Sequence, residues 1–267
     1  MRPYLSILRP LNLLQATLAV VLTTAFLGEM EQVRTLILLI LSVIAINGAG
    51  NVINDIYDLD IDRVNRPQRP LPAGLISTST ARMYTMILFG LGLLFSWLIS
   101  VNTFIIAGPV SIPILVAYSA RLKKQPLVGN IAVSFMLGLA FIYVGSAFGK
   151  IDNTLVMAAL AFGFTLIREI IKDLEDMDGD ARDGARTLPL VWGESKTLYL
   201  ALFLMVIFSF LDTLPYIFGV YNHVYLWMVL LGINLPLIVL AISLWKHPDK
   251  KNYARVQLFL KLDIFVG

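Results

Sequence analysis

Eight apolar stretches of 18 to 22 residues divide the chain, at about 11–28, 33–53, 83–101, 103–120, 127–148, 154–171, 197–218 and 224–245. A helix needs about 20 mainly apolar residues to cross the hydrocarbon core of a bilayer. The spacing therefore predicts an all-α, polytopic membrane protein with short loops. Composition agrees: 58% of residues are hydrophobic and 15% charged, with a mean hydropathy of +0.78. Soluble chains are about a quarter charged. A ninth apolar stretch, 252–267, carries Lys261 and Asp263 and runs for only 16 residues. It reads as a ninth helix that is interfacial or cut short. The first stretch is too long for the apolar core of a signal peptide and lacks a small-residue cleavage site. Pro109 and Pro113 predict a kink in the fourth stretch.

The basic residues orient the bundle. With spans numbered one to nine, 19 of the 21 lysines and arginines fall at the N-terminus and after spans 2, 4, 6 and 8. Only Arg34 and Lys150 fall on the other side. Basic residues in short loops stay cytoplasmic, so the N-terminus is expected inside. The absence of cysteine excludes disulfides and thiolate zinc sites, and two histidines exclude a histidine-rich metal site. A net charge of +3 gives no case for nucleic acid.

The acids cluster on that same cytoplasmic side. Four of the 18 lie between Asp55 and Asp62, after span 2, and seven between Glu169 and Asp183, after span 6. No helix breaker separates span 2 from its cluster, so the helix is expected to run on. Asn54, Asp58 and Asp62 then share one face, and Lys172, Asp176 and Asp180 repeat the rhythm 118 residues later. Arg69-Pro70-Leu71-Pro72 is answered by Arg186-Thr187-Leu188-Pro189 at an offset of 117. The chain thus reads as one domain, 1–267, with an internal repeat of about 1–120 and 121–246: two four-helix halves plus a ninth helix. Parallel repeats with a site between them are a common membrane-protein plan.

Like charges at four-residue spacing repel, so two such arrays ask for a cation. Mg²⁺ takes oxygen ligands and binds through one or two carboxylates plus substrate phosphates. Two arrays could clamp a diphosphate through Mg²⁺. A solvated acidic loop would account for either run alone, but not for the duplicated period or for the cations nearby. A cation-coupled transporter is a further alternative, though its carboxylates usually lie within the membrane. Arg63, Arg66 and Arg69 follow the first array, and Arg182 and Arg186 the second. The loop after span 4 adds Tyr118, Arg121, Lys123 and Lys124, and Arg9 opens span 1. Positive-inside bias explains any one of these cations by itself. Arg121 and Lys123 gain weight because their loop lies on the same side as both arrays.

Asn54-Asp55-x-x-Asp58-x-x-x-Asp62, followed by Arg66-Pro67-x-Arg69-Pro70, resembles the first signature of the UbiA superfamily of intramembrane prenyltransferases. Asp176-x-x-x-Asp180, with Gly184 and Thr187-Leu188-Pro189, resembles its second. The likeness covers nearly the whole chain. Leu8-Arg9-Pro10-Leu11-Asn12 and Lys172-Asp173-Leu174-Glu175-Asp176 look most like the branch that makes archaeal ether lipids. The resemblance implies a nine-helix, Mg²⁺-dependent enzyme that transfers a polyprenyl group from its diphosphate to an acceptor. The short ninth stretch departs from that pattern.

On this reading Asp58, Asp62, Asp176 and Asp180 bind Mg²⁺ with Asn54. Arg121, Lys123, Lys172 and Tyr118 meet the remaining diphosphate oxygens, and ionisation leaves an allylic carbocation shielded from water. Gly138, Gly145, Ser146 and Gly149 would let helices approach closely around an apolar tail channel. The branch implies geranylgeranyl diphosphate as donor and geranylgeranylglyceryl phosphate as a lipid-like acceptor, its phosphate near Arg9 or Arg66. A 4-hydroxybenzoate- or naphthoate-type acceptor is the alternative. No general base is assigned.

Overall fold

The computed structural model describes residues 2–263, and among these the regular structure is entirely helical. Among the described residues seven helices are long and apolar enough to cross a membrane: 33–57, 78–99, 101–120, 128–147, 151–182, 194–217 and 223–246. The first predicted span forms a shorter apolar helix, Pro10–Phe26, of 17 residues. The ninth stretch forms Lys250–Asp263, 14 residues long, and the last four residues of that stretch lie outside the described residues.

The bundle is apolar outside and partly polar inside, the inverse of a soluble fold. Leu11, Leu14, Leu18 and Leu22, spaced by three and four along Pro10–Phe26, are all exposed. Ser42, Ser96, Thr103, Ser134 and Thr154 are buried. Against lipid, leucine gains nothing by burial, so small side chains and interhelical hydrogen bonds hold such helices together.

Residues cluster into two compact units, 1–122 with 138–158 and 123–137 with 159–267. In the first unit, Ser42, Ser96 and Tyr143 form a closed ring of hydroxyl contacts at 2.8–2.9 Å. The Ser42 hydroxyl also lies 3.0 Å from the Gly92 carbonyl. Gly145 is a close approach: a Cβ there would lie 2.5 Å from Thr154 Oγ1. Gly149 plays a different part from the one expected. It adopts φ +66° in a turn, and a Cβ there would meet nothing within 4 Å. In the second unit, Ile167, Ile170, Ile171 and Leu174 of the 151–182 helix pack with Leu198, Met205 and Leu237, and with Tyr253 and Leu260 of the last helix.

The fourth span breaks register at its prolines. Ile106–Ser111, which contains Pro109, is π-helical, and Pro113 sits in the first turn of Ile112–Ala120. The Ser111 hydroxyl donates to the Ile106 carbonyl at 2.7 Å, satisfying an acceptor beside the disrupted ladder. The eighth span repeats the device: Leu230–Asn234 is π-helical and Pro236 opens Leu235–Lys246.

Candidate active site

Each acidic cluster lies within one compact unit. In the first, the helix does not run on unbroken as expected. Val33–Tyr57 ends at Asp58, whose backbone lies at φ −92°, ψ 4°, and Leu59–Asn65 follows. The four-residue rhythm survives the break. The amides of Asp58, Asp62 and Arg66 still donate to the carbonyls of Asn54, Asp58 and Asp62 at 2.8–2.9 Å. Asn54 Nδ2 donates to Asp58 Oδ2 at 3.1 Å, so the carboxamide orients that carboxylate.

Asp62 is buried, at 5% exposure, and Arg69 Nη1 donates to its Oδ2 at 2.6 Å. Arg69 Nη1 also donates to Asp55 Oδ1 at 3.2 Å, and Arg9 bonds that same oxygen. Asp55, at 2% exposure, and Arg69 both stand in the first signature, but residue order alone assigns neither a role in the site. The signal was present: Asp55 and Asp62 are seven residues apart, two turns along one helix face. Arg9, expected to receive an acceptor phosphate, is engaged with Asp55. Its backbone sits in the left-handed region at φ 55°, just before Pro10 starts the first span. A buried cluster of Ile7, Leu8, Val52, Leu71, Ile76 and Ala81 pins the segments that carry Arg9, Asp55 and Arg69. Arg66 is exposed, with no side-chain hydrogen bond or ion pair among the described residues. The Asp60–Arg63 pair is solvent-exposed and worth little.

Tyr118, half-buried, lies on Ile112–Ala120, and Arg121 is exposed at that helix's end. Lys123 falls in the 3₁₀ turn Leu122–Lys124. Within the second unit, the Lys124 carbonyl accepts from the Arg186 amide at 2.9 Å, which ties this loop to the segment beyond the second cluster.

The second cluster lies on one unbroken helix, Ile151–Arg182, so Lys172, Asp176 and Asp180 do share a face. Asp176 is exposed, and Asp180 and Lys172 are half-buried. Beneath them lies a polar layer that sequence reasoning missed. Glu169, at 6% exposure, bonds Arg168 and lies 3.7 Å from Lys172 Nζ. Asn130 Nδ2, also buried, donates to Asp173 Oδ2 at 2.9 Å. That contact joins residues 43 apart and leaves no local sequence signal.

Among the described residues no three carboxylates or histidines converge to cage a metal by themselves. The donors present are carboxylate and carboxamide oxygens on two faces, which suits a hard cation completed by phosphate and water. An apolar groove of about 450 Å³ is lined by Tyr199, Phe203, Val206 and Trp245. No charged residue lines it.

Residues 14–262 match the UbiA prenyltransferase family. The chain belongs to that family. This UbiA-family chain is 36% identical to the digeranylgeranylglyceryl phosphate synthase of Methanothermobacter thermautotrophicus, covering 98% of this chain and 92% of that one. It is 38% identical to the synthase of the same name from Methanobrevibacter smithii, covering 100% and 95%. A solved structure concerned with digeranylgeranylglyceryl phosphate synthase in membranes superposes with a TM-score of 0.87 at 32% identity, covering 99% and 94%. A UbiA homologue from Archaeoglobus fulgidus, bound to GPP and Mg²⁺, shares the fold at a TM-score of 0.72 and 20% identity, covering 99% of each chain.

Proposed function

We propose that this protein transfers a geranylgeranyl group from its diphosphate to the glycerol hydroxyl of geranylgeranylglyceryl phosphate, forming an ether in membrane lipid synthesis. The observation that carries this is its likeness, over essentially its full length, to synthases named for that product. It is a multi-pass membrane enzyme, and its two aspartate faces supply the oxygen donors that a Mg²⁺-dependent prenyl transfer needs.

Asp58, Asp62, Asp176 and Asp180, with Asn54, would hold Mg²⁺, which neutralises the diphosphate and makes it a better leaving group. Lys172, Lys123 and Arg121 bind the remaining diphosphate oxygens, and Tyr118 donates its hydroxyl. Arg and Lys stabilise charge as it grows on the departing group. The allylic C–O bond breaks, and the apolar helices keep water from the carbocation until the glycerol oxygen attacks. The ether bond forms as the hydroxyl proton is lost. Arg9 is neutralised by Asp55, so we assign the acceptor phosphate to Arg66.

We read the chain as nine membrane helices in two four-helix halves plus one, with the N-terminus and the active site on the cytoplasmic side. The basic-residue asymmetry supports the orientation. The π-helical turns ahead of Pro113 and Pro236, four spans apart, support the repeat.

The test is mass spectrometry of products after incubation with geranylgeranyl diphosphate, Mg²⁺ and a panel of acceptors. Digeranylgeranylglyceryl phosphate is expected, and Asp58→Asn and Asp176→Asn should each abolish it in folded protein. Prenylation of 4-hydroxybenzoate or a naphthoate, with geranylgeranylglyceryl phosphate untouched, would overturn the acceptor. Turnover close to wild type in either variant would overturn the metal-site assignment.

A further inference from the structure

Asp58 and Asp62 are proposed to act together, yet the helix that carries them is interrupted between Tyr57 and Leu59. Past the break the backbone holds Asp62 through the amide bonds from Asp58 to Asn54 and from Asp62 to Asp58, at 2.9 and 2.8 Å, which fix the main chain but not the carboxylate. Here a guanidinium crosses the break. Arg69 reaches Asp55 on the first segment at 3.2 Å and Asp62 on the second at 2.6 Å, through the same Nη1. The carboxylate side chains are 3% and 7% exposed, and that of Arg69 is 19% exposed. With Arg9 bonded to the same oxygen of Asp55, two arginines meet two carboxylates and the charges cancel. Each buried carboxylate thus has a cationic partner, which offsets the cost of removing it from water.

Arg69 is itself held in place. Its carbonyl accepts from the Ala73 amide at 2.9 Å, and the Pro70 carbonyl accepts from the amides of Leu75 and Ile76. Leu71 and Ile76 then bury the turn against Leu8 and Val52.

We infer that Arg69, braced by Asp55, is a positioning residue that clamps the Asp62 carboxylate across the helix break and so sets its geometry toward the diphosphate-bound cation. This rests on the diphosphate reading above. Arg69 occupies Asp62 Oδ2, which leaves Oδ1 to meet a ligand. The clamp needs arginine, because the two N–H bonds of Nη1 are fixed in the guanidinium plane, whereas the compact ammonium of lysine rotates freely on a flexible stem. Partners that orient a ligating carboxylate are typically worth about 10–100-fold in metal affinity.

The experiment titrates Mg²⁺ at fixed geranylgeranyl diphosphate and reads the rise in melting temperature of the purified protein, with no turnover required. Arg69→Lys and Asp55→Asn should each raise the Mg²⁺ concentration for half-maximal stabilisation by about 10–100-fold. The double variant should be no worse than the weaker single, since the two act through one chain of contacts. Asp60→Asn, which removes only the exposed pair with Arg63, should titrate like wild type. If Asp55→Asn does not fold, Arg69→Lys and Arg69→Gln carry the comparison. A responsive wild type with Arg69 variants of unchanged Mg²⁺ dependence, or single effects that multiply, overturns this inference alone. A wild type indifferent to geranylgeranyl diphosphate at every Mg²⁺ concentration overturns the diphosphate reading, and this inference with it.

Discussion

Gly90 and Gly92 lie two residues apart on the Thr78–Ile99 helix, and the same substitution at the two positions should have opposite signs. Replacing a helix-interior glycine by alanine gains about 1 kcal/mol from reduced backbone entropy. At Gly90 the added Cβ would meet nothing within 4 Å, so the full gain is expected. At Gly92 the Cβ would lie 2.4 Å from Ile46 Cγ1 and 3.4 Å from the Ile46 backbone nitrogen. Ile46 cannot swing aside, because a β-branched side chain in a helix has one strongly preferred χ1. Relief must come from separating the two helices. That would also stretch the contact between the Ser42 hydroxyl and the Gly92 carbonyl, and the hydroxyl ring around it. Overpacking of this kind costs about 1–3 kcal/mol. Gly92→Ala should therefore fall about 1–3 kcal/mol below Gly90→Ala, several degrees in melting temperature at about 2–4 °C per kcal/mol. Thermal unfolding of both variants in one detergent measures the gap. Ile46→Ala should cost less in the Gly92→Ala background than in wild type. If Gly92→Ala is stabilised as much as Gly90→Ala, the close packing of these two helices is refuted.

Other consequences can be measured on the same material. Tyr143→Phe removes the hydroxyl that meets Ser42 and Ser96, and should cost about 0.6 kcal/mol, the mean for interhelical hydrogen bonds inside a membrane, and no more than about 1.7 kcal/mol, the largest such value. An unchanged melting temperature would mean that the ring contributes nothing. Glu29 is held below the usual carboxylate range by its hydrogen bond from Lys150 first, with Gln32 adding to it. Because its folded pKa is the lower one, the contribution is complete above the ordinary glutamate value and fades as pH falls through the folded value. Glu29→Gln should therefore lower the melting temperature modestly at neutral pH and converge on wild type as pH falls below the ordinary glutamate range, whereas a pH dependence of the melting temperature as steep as wild type's would contradict the pairing. Geranylgeranyl diphosphate should stabilise the wild type only with Mg²⁺ present, since a ligand that binds only the native state shifts unfolding by mass action. Equal stabilisation in EDTA would argue against metal-mediated binding.

The helical class, the near positions of the long spans and the two acidic faces were readable from residue order, because each depends on local periodicity. Apolar runs near 20 residues specify spanning helices whatever their neighbours, and four-residue spacing puts side chains on one face wherever a helix forms. Lys172, Asp176 and Asp180 share their face for that reason. Tertiary structure decided what the runs could not encode. Nothing local in 54–62 announces the interruption at Asp58, and the seven-residue spacing that puts Asp55 and Asp62 on one face does not say that this face is the buried one. From the sequence Arg9 reads as a ligand for the acceptor phosphate and Arg69 as one more positive-inside cation, yet the fold brings both to one carboxylate oxygen, 46 and 14 residues away. Asn130 reaches Asp173 across 43 residues. Periodicity is a property of neighbours along the chain, whereas desolvated ion pairs depend on which segments the bundle brings together. The sequence by itself therefore determined where charges would gather, and only the packed chain determined which of them neutralise one another.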